Sequence, residues 1–70
     1  MAKVTAVSKK IGQSLREIRE RKGITQEELA LNAGLNRAYI GYIERGERNP
    51  STETLAKIAK ALKISLKNLL

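Results

Sequence analysis

Of the side chains that ordinarily carry chemistry, the 70 residues hold seven carboxylates, two tyrosines and 14 lysines and arginines, but no histidine and no cysteine. The commonest general base, the commonest nucleophile and the commonest metal ligands are therefore missing together. The carboxylates are Glu17, Glu20, Glu27, Glu28, Glu44, Glu47 and Glu53, and each has a surface, capping or ion-pair role open to it. No catalysis, metal or cofactor is expected. What is left is anion recognition. A net charge of +7 concentrates polyanions around the protein and favours nucleic acid or an anionic membrane surface. The polar groups suited to that work cluster between Gln26 and Asn49, and the question becomes which elements present them.

The chain is long enough for one domain. A core of this size is marginal on its own, and with no cysteine there is no disulfide to reinforce it. No stretch approaches the ~18 apolar residues of a membrane span. The first ten residues lack the apolar run of a secretory signal, so the cytoplasm is the expected compartment.

Glycines and a proline punctuate the sequence at Gly23, Gly34, Gly46 and Pro50, and the segments between are rich in good helix formers. Residues 1–7 read as a flexible N-terminal arm. Helix one is expected from Ser8, as cap, to Lys22, with Ile11, Leu15 and Ile18 as its buried stripe. Helix two opens with a capping box, Thr25 and Glu28, and a hydrophobic staple, Ile24 and Leu29. Helix three repeats the staple with Leu35 and Ile40 around the cap Asn36. Asn49-Pro50-Ser51 reads as a turn, with Ser51 capping a fourth helix whose stripe is Leu55, Ile58, Ala59 and Leu62. A fifth short helix or turn, capped by Ser65, carries Leu66, Leu69 and Leu70. The expected fold is all-α, five short helices in a compact array, with residues 8–70 as the domain.

Within it, Gln26 to Arg45 (QEELALNAGLNRAYIGYIER) reads as helix, tight turn, helix. Gly34 supplies the positive φ of the turn, and Ala30 is small where the two backbones approach. Leu29, Ala33, Leu35, Ile40 and Ile43 supply the meeting faces. This pattern resembles the phage-repressor-like helix-turn-helix regulators, the Cro/repressor or XRE type. Alanine at the fifth place from Gln26, glycine at the ninth and apolar residues at the five remaining marked places are all met. The resemblance covers residues 8 to 70, including GITQEELA and the ERGERNPS tail, with the helix-turn-helix at 25–45. LNRAYIGYIERGERNPS is also similar to controller proteins of restriction–modification systems, which are small dimeric autoregulators without an effector domain. Plasmid and phage repressors share the same words.

The resemblance makes helix three the recognition helix, and docking of this kind places such a helix in the major groove of duplex DNA. Arg37, at its first position, can then reach guanine O6 and N7 with two hydrogen bonds. Ala38, Gly41 and Tyr42 share its face and are candidates for reading bases, the first two by letting the backbone come close. Gln26, Asn36, Tyr39, Arg45, Arg48 and Asn49 are candidates for the DNA backbone, with Gln26 at a helix N-terminus where free N–H groups hold phosphate. A carboxylate has no place against DNA, and the resemblance pairs Glu44 with Arg19 in a structural ion pair. It also implies a homodimer on an inverted repeat, and RNA polymerase as a further partner.

Residues 55–70 carry four lysines between apolar positions, which an interfacial membrane helix would also show. A fresh cap at Ser65 argues for a folded core element instead, and no membrane partner is expected. Ile64, Leu66, Leu69 and Leu70 exceed what the end of a small monomer can bury, so residues 64–70 are expected to form the seam of a two-fold dimer. A protein-interaction module on the same fold, an antitoxin or adaptor, is the rival reading. Sequence-blind DNA binding and a partner chain would distinguish it.

Overall fold

The computed structural model describes residues 5–70: four α-helices, α1 (Ala6–Arg21), α2 (Gln26–Ala33), α3 (Arg37–Glu44) and α4 (Thr52–Leu62), then one 3-10 turn, Leu66–Asn68. No strand occurs among the described residues. The all-α expectation holds, but the fifth element is a turn, not a helix. The segment after Lys63 closes with the tighter i→i+3 pairs Asn68 N–H to Ser65 O and Leu69 N–H to Leu66 O, which make it a 3-10 turn. Ser65 is its N-cap residue, as expected, and Asn68 Oδ1 accepts the Ser65 N–H at 3.1 Å.

α1 begins earlier than its sequence suggests. Thr5, not Ser8, is the N-cap, its Oγ1 accepting the Ser8 N–H at 3.0 Å. Ser8 lies inside the first turn, fully buried, with its hydroxyl 3.1 Å from that of Thr5. The expected arm shrinks accordingly: residues 5–7 start the helix, and residues 1–4 lie outside the described part. α2 has the expected capping box, with Glu28 N–H donating to Thr25 Oγ1 and Thr25 N–H to Glu28 Oε1, both at 3.0 Å. The Thr25 N–H, and after it the Thr25 hydroxyl, hydrogen-bond the ionised carboxylate and hold Glu28 below its ordinary value. Because the folded-state value is lowered, the box stabilises α2 above the ordinary carboxylate range and fades as pH falls through the lowered one.

Gly34 ends α2 at φ 69°, in the left-handed region, and Asn36 restarts the chain as α3 with its Oδ1 accepting the Ala38 N–H at 2.7 Å. The connection leaves no room for a longer loop, so α3 must turn back against α2. α3 also packs on α1, while α4 packs on α2 and on the C-terminal turn. The core is drawn from the expected stripes: Ile11 and Leu15 of α1, Leu29, Ala30 and Ala33 of α2, Ile40 and Ile43 of α3, and all four stripe residues of α4. Residues 47–51 form no turn; Pro50 is buried in an irregular link that ends at the Ser51 cap.

α4 ends on Lys63 at φ 59°, a left-handed conformation that costs a β-carbon-bearing residue and suits glycine. Lys63→Gly is expected to stabilise the domain by about 0.5–1 kcal/mol, read as a raised midpoint in urea. An unchanged or lowered midpoint would mean that the lysine side chain offsets its own backbone strain.

One expected seam residue is misplaced. Leu69 is 0% exposed and belongs to the core, against which Ile64 and Leu66 also pack half-buried. The 3-10 turn rotates Leu69 inward under α4 and leaves Leu70 outward at 61% exposure. A charge at Leu69 would therefore disrupt the fold before it tested any dimer.

Candidate nucleic-acid interface

A recognition helix must be held rigidly from behind, and here an ion-pair network does so. Arg19 of α1 donates from Nε to Glu44 Oε2 at 2.6 Å and from Nη2 to Glu44 Oε1 at 3.0 Å, a side-on bidentate pair. Its Nη1 donates to the Ile24 carbonyl at 2.8 Å. Glu44, the last residue of α3, also accepts from Gln26 Nε2 at 3.0 Å. The two charged side chains are 11% and 3% exposed. The hydrogen bond to Glu44 raises the Arg19 pKa above its already high ordinary value, so the guanidinium stays charged at any working pH. One network thus ties α1, the α1–α2 loop, the start of α2 and the end of α3. The expected Arg19–Glu44 pair is present and structural.

Gln26 therefore differs from expectation. Its amide points inward to Glu44 instead of outward to a phosphate, because a buried carboxylate offers a stronger acceptor partner than solvent does. The capping box spends the Glu28 N–H on Thr25 and leaves the Gln26 backbone N–H at the outer end of α2.

Along α3, Arg37 and Ala38 are exposed at the N-terminal end. Arg37 Nε lies 3.6 Å from Glu27 Oε1 across the turn, both side chains well solvated. Gly41 is not on the open face. The Arg45 side chain covers it, so a β-carbon there would sit 3.1 Å from Arg45 Nη1 and 3.8 Å from Gln26 Oε1. The i, i+4 spacing brings Arg45 back over the one position without a side chain. Tyr39 is half-buried and packs against the core, while Asn36 uses its side chain as the cap. Arg45, Arg48 and Asn49 are exposed past the end of α3. Tyr42 stands between these groups, and the guanidinium carbons of Arg45 and Arg48 lie 5.2 and 5.3 Å from its ring centre. Glu47 Oε1 is 3.2 Å from Arg45 Nε.

Two contributions have no counterpart among the sequence expectations. Gly12 of α1 faces the end of α3 so closely that a β-carbon would overlap the Ile43 carbonyl oxygen and lie 2.8 Å from that of Glu44. Lys9, one turn earlier, packs on Gly46, where a β-carbon would lie 2.9 Å from Lys9 Cγ. A glycine inside a helix needs a packing reason, and that signal was available for Gly12. For Lys9 no sequence signal exists.

The fold and this surface define a helix-turn-helix regulator. Residues 15–69 match the helix-turn-helix family, and the chain belongs to its XRE type, a family of DNA-binding transcriptional regulators that are not enzymes. It is similar to the control protein C.BamHI of Bacillus amyloliquefaciens, 47% identical over 60 residues that span 84% of this chain and 74% of that one. The crystal structure of the restriction–modification controller protein C.AhdI from Aeromonas hydrophila superimposes with a TM-score of 0.91 at 47% identity, covering 94% of this chain and 100% of that one. The controller protein C.Esp1396I, solved as a tetramer in complex with its natural 35 base-pair operator, gives a TM-score of 0.84 at 34% identity, over 93% and 96% of the two chains. No described helix is long and apolar enough to cross a membrane.

Proposed function

We propose that this chain is a sequence-specific regulator of the controller type, binding duplex DNA in the cytoplasm as a homodimer on an inverted-repeat operator and regulating its own transcription with that of restriction–modification genes. The observation that carries this reading is the exposed Arg37–Ala38 end of α3, held from behind by the buried Arg19–Glu44–Gln26 network. Arg37 has five donors and gives only a long, solvated contact to Glu27, so its two terminal nitrogens are available to a guanine. Arg45, Arg48 and the helix-two N-terminus supply sequence-independent contacts to phosphates. Half-sites about one helical turn apart, ~10 bp, fit a two-fold pair of such helices. Ile64, Leu66 and Leu70 make the dimer seam, with Leu69 beneath them in the core. RNA polymerase, in this reading, meets the outer face of α2, where Leu31 is 81% exposed one turn from Glu27 and Glu28.

Arg37→Ala is the test of base reading. The expected loss is about 1–3 kcal/mol on the preferred site, with discrimination relaxed at one position per half-site. Titrating the variant on duplexes mutated one base pair at a time measures both. An equal loss on every duplex removes Arg37 from base reading and strengthens the protein-interaction alternative.

A further inference from the structure

Tyr42 is an exposed aromatic on the recognition face, but its surroundings are cationic. α3 ends in a reversal: Gly46, at φ 74°, gives its N–H to Ile43 O at 3.0 Å, and Glu47 gives its N–H to Tyr42 O at 2.8 Å. That pair of bonds is the helix-ending motif in which a left-handed residue folds the chain back along the last turn. The consequence here is positional. Arg45, one turn after Tyr42, and Arg48, beyond the reversal, both arrive over the same ring, at 5.2 and 5.3 Å from its centre. Gly46 is in turn pressed against Lys9 of α1, which pins the reversal. Both guanidinium groups lie within cation–π reach of the Tyr42 ring, whose negative face attracts each of them.

We propose that Tyr42 is a positioning residue that assembles Arg45 and Arg48 into a two-guanidinium clamp for the DNA backbone, and that it does not read bases. This inference rests on the DNA-binding reading above and changes the role of one residue within it. Both arginines keep hydrogen-bond donors at their edges when they stack by their faces, so stacking and phosphate binding are compatible. The ring offers the stack without its hydroxyl, whereas a base contact from Tyr42 would depend on either the hydroxyl or the sequence beneath it. Holding two long side chains in place before binding lowers the ordering cost of the complex. Each guanidinium still releases its own counterions whether or not it is held.

The test compares Tyr42→Phe and Tyr42→Leu by titration of a selected high-affinity duplex and a scrambled duplex at several salt concentrations. Tyr42→Phe is expected to bind both within about twofold of the unmodified protein. Tyr42→Leu should lose about three- to tenfold, equally on both duplexes and with an unchanged salt slope. Arg48→Ala, by contrast, should flatten that slope by about one contact. In an Arg45→Ala, Arg48→Ala background the Tyr42→Leu loss should vanish. Ring-current shifts of the Arg45 and Arg48 side-chain protons in the free protein should disappear in Tyr42→Leu, which checks the stack without DNA. A loss confined to the selected duplex, or a Phe variant as weak as Leu, overturns the proposal by making Tyr42 a direct contact. Unshifted arginine protons in the unmodified protein overturn the stack itself. If the unmodified protein fails to bind either duplex, the DNA-binding reading has failed instead, which is a separate result.

Discussion

Arg19→Ala is expected to cost about 3–5 kcal/mol of folding stability, because it leaves the Glu44 carboxylate buried and its charge unpaired. Glu44 is 3% exposed along its side chain and would retain only the Gln26 amide, a single neutral donor. The Ile24 carbonyl would lose its partner as well. Against a total stability of roughly 3–10 kcal/mol for a chain of this size, such a loss leaves much of the protein unfolded at 37 °C. Chemical denaturation followed by circular dichroism measures it. The double replacement Arg19→Met, Glu44→Leu removes both charges together and is expected to recover most of the loss, since apolar pairs of similar volume replace buried ion pairs at little cost. The recovered domain should still bind DNA less well than the native one, because Gln26 no longer has Glu44 to hold it to the end of α3. A loss below about 1 kcal/mol for Arg19→Ala would show the pair to be effectively solvated.

The same chemical change at two helical glycines should move stability in opposite directions. At Gly12 a new β-carbon collides with the Ile43 and Glu44 carbonyl oxygens, which belong to the backbone of α3 and yield only if that helix shifts. Gly12→Ala is expected to cost about 3 kcal/mol, at the upper end for overpacking and in spite of alanine's better helix propensity. At Gly41 the nearest neighbour is the tip of Arg45, 3.1 Å away on a flexible side chain. Gly41→Ala should therefore raise stability by up to about 1 kcal/mol. Denaturant midpoints of the two variants, measured side by side, check both signs. If Gly12→Ala proves neutral, α1 and α3 do not approach as closely as described, and the register that holds the recognition helix is wrong.

These two glycines also mark where sequence reading stops. Gly34 and Gly46 were legible because they fall between periodic segments, where a change of chain direction is needed and only the backbone conformation matters. The capping box at Thr25 and Glu28, the cap at Asn36 and the stripe of α4 were legible for the same reason: each is a local pattern with a local cause. Gly12 sits inside a helix, and its partner lies about 30 residues away in sequence, so its role exists only after α1 and α3 have met. Arg19 and Glu44 are 25 residues apart, and a family resemblance, not spacing, brought them together. Ser8 lost the cap to Thr5 because two hydroxyls three residues apart offer equivalent caps, and burial decides between them. Leu69 is expected at the seam because Ile64, Leu66, Leu69 and Leu70 together exceed what the end of a small monomer buries. The tighter 3-10 turn points it in. At the candidate site the sequence placed Arg37 and Ala38 on the open face, but not the side chains that fold over their neighbours. Arg45 covering Gly41, and Gln26 turning to Glu44, are choices among rotamers that only the packed structure makes.

Binding-site selection from random duplex DNA at about 150 mM salt, followed by titration of the recovered site against a scrambled duplex, tests the central claim most directly. The account predicts an inverted repeat bound at least ~10³-fold more tightly than the scramble, with half-sites about one helical turn apart. Equal binding of both duplexes, with no repeat recovered, would contradict it and reduce the positive surface to general attraction for polyanions.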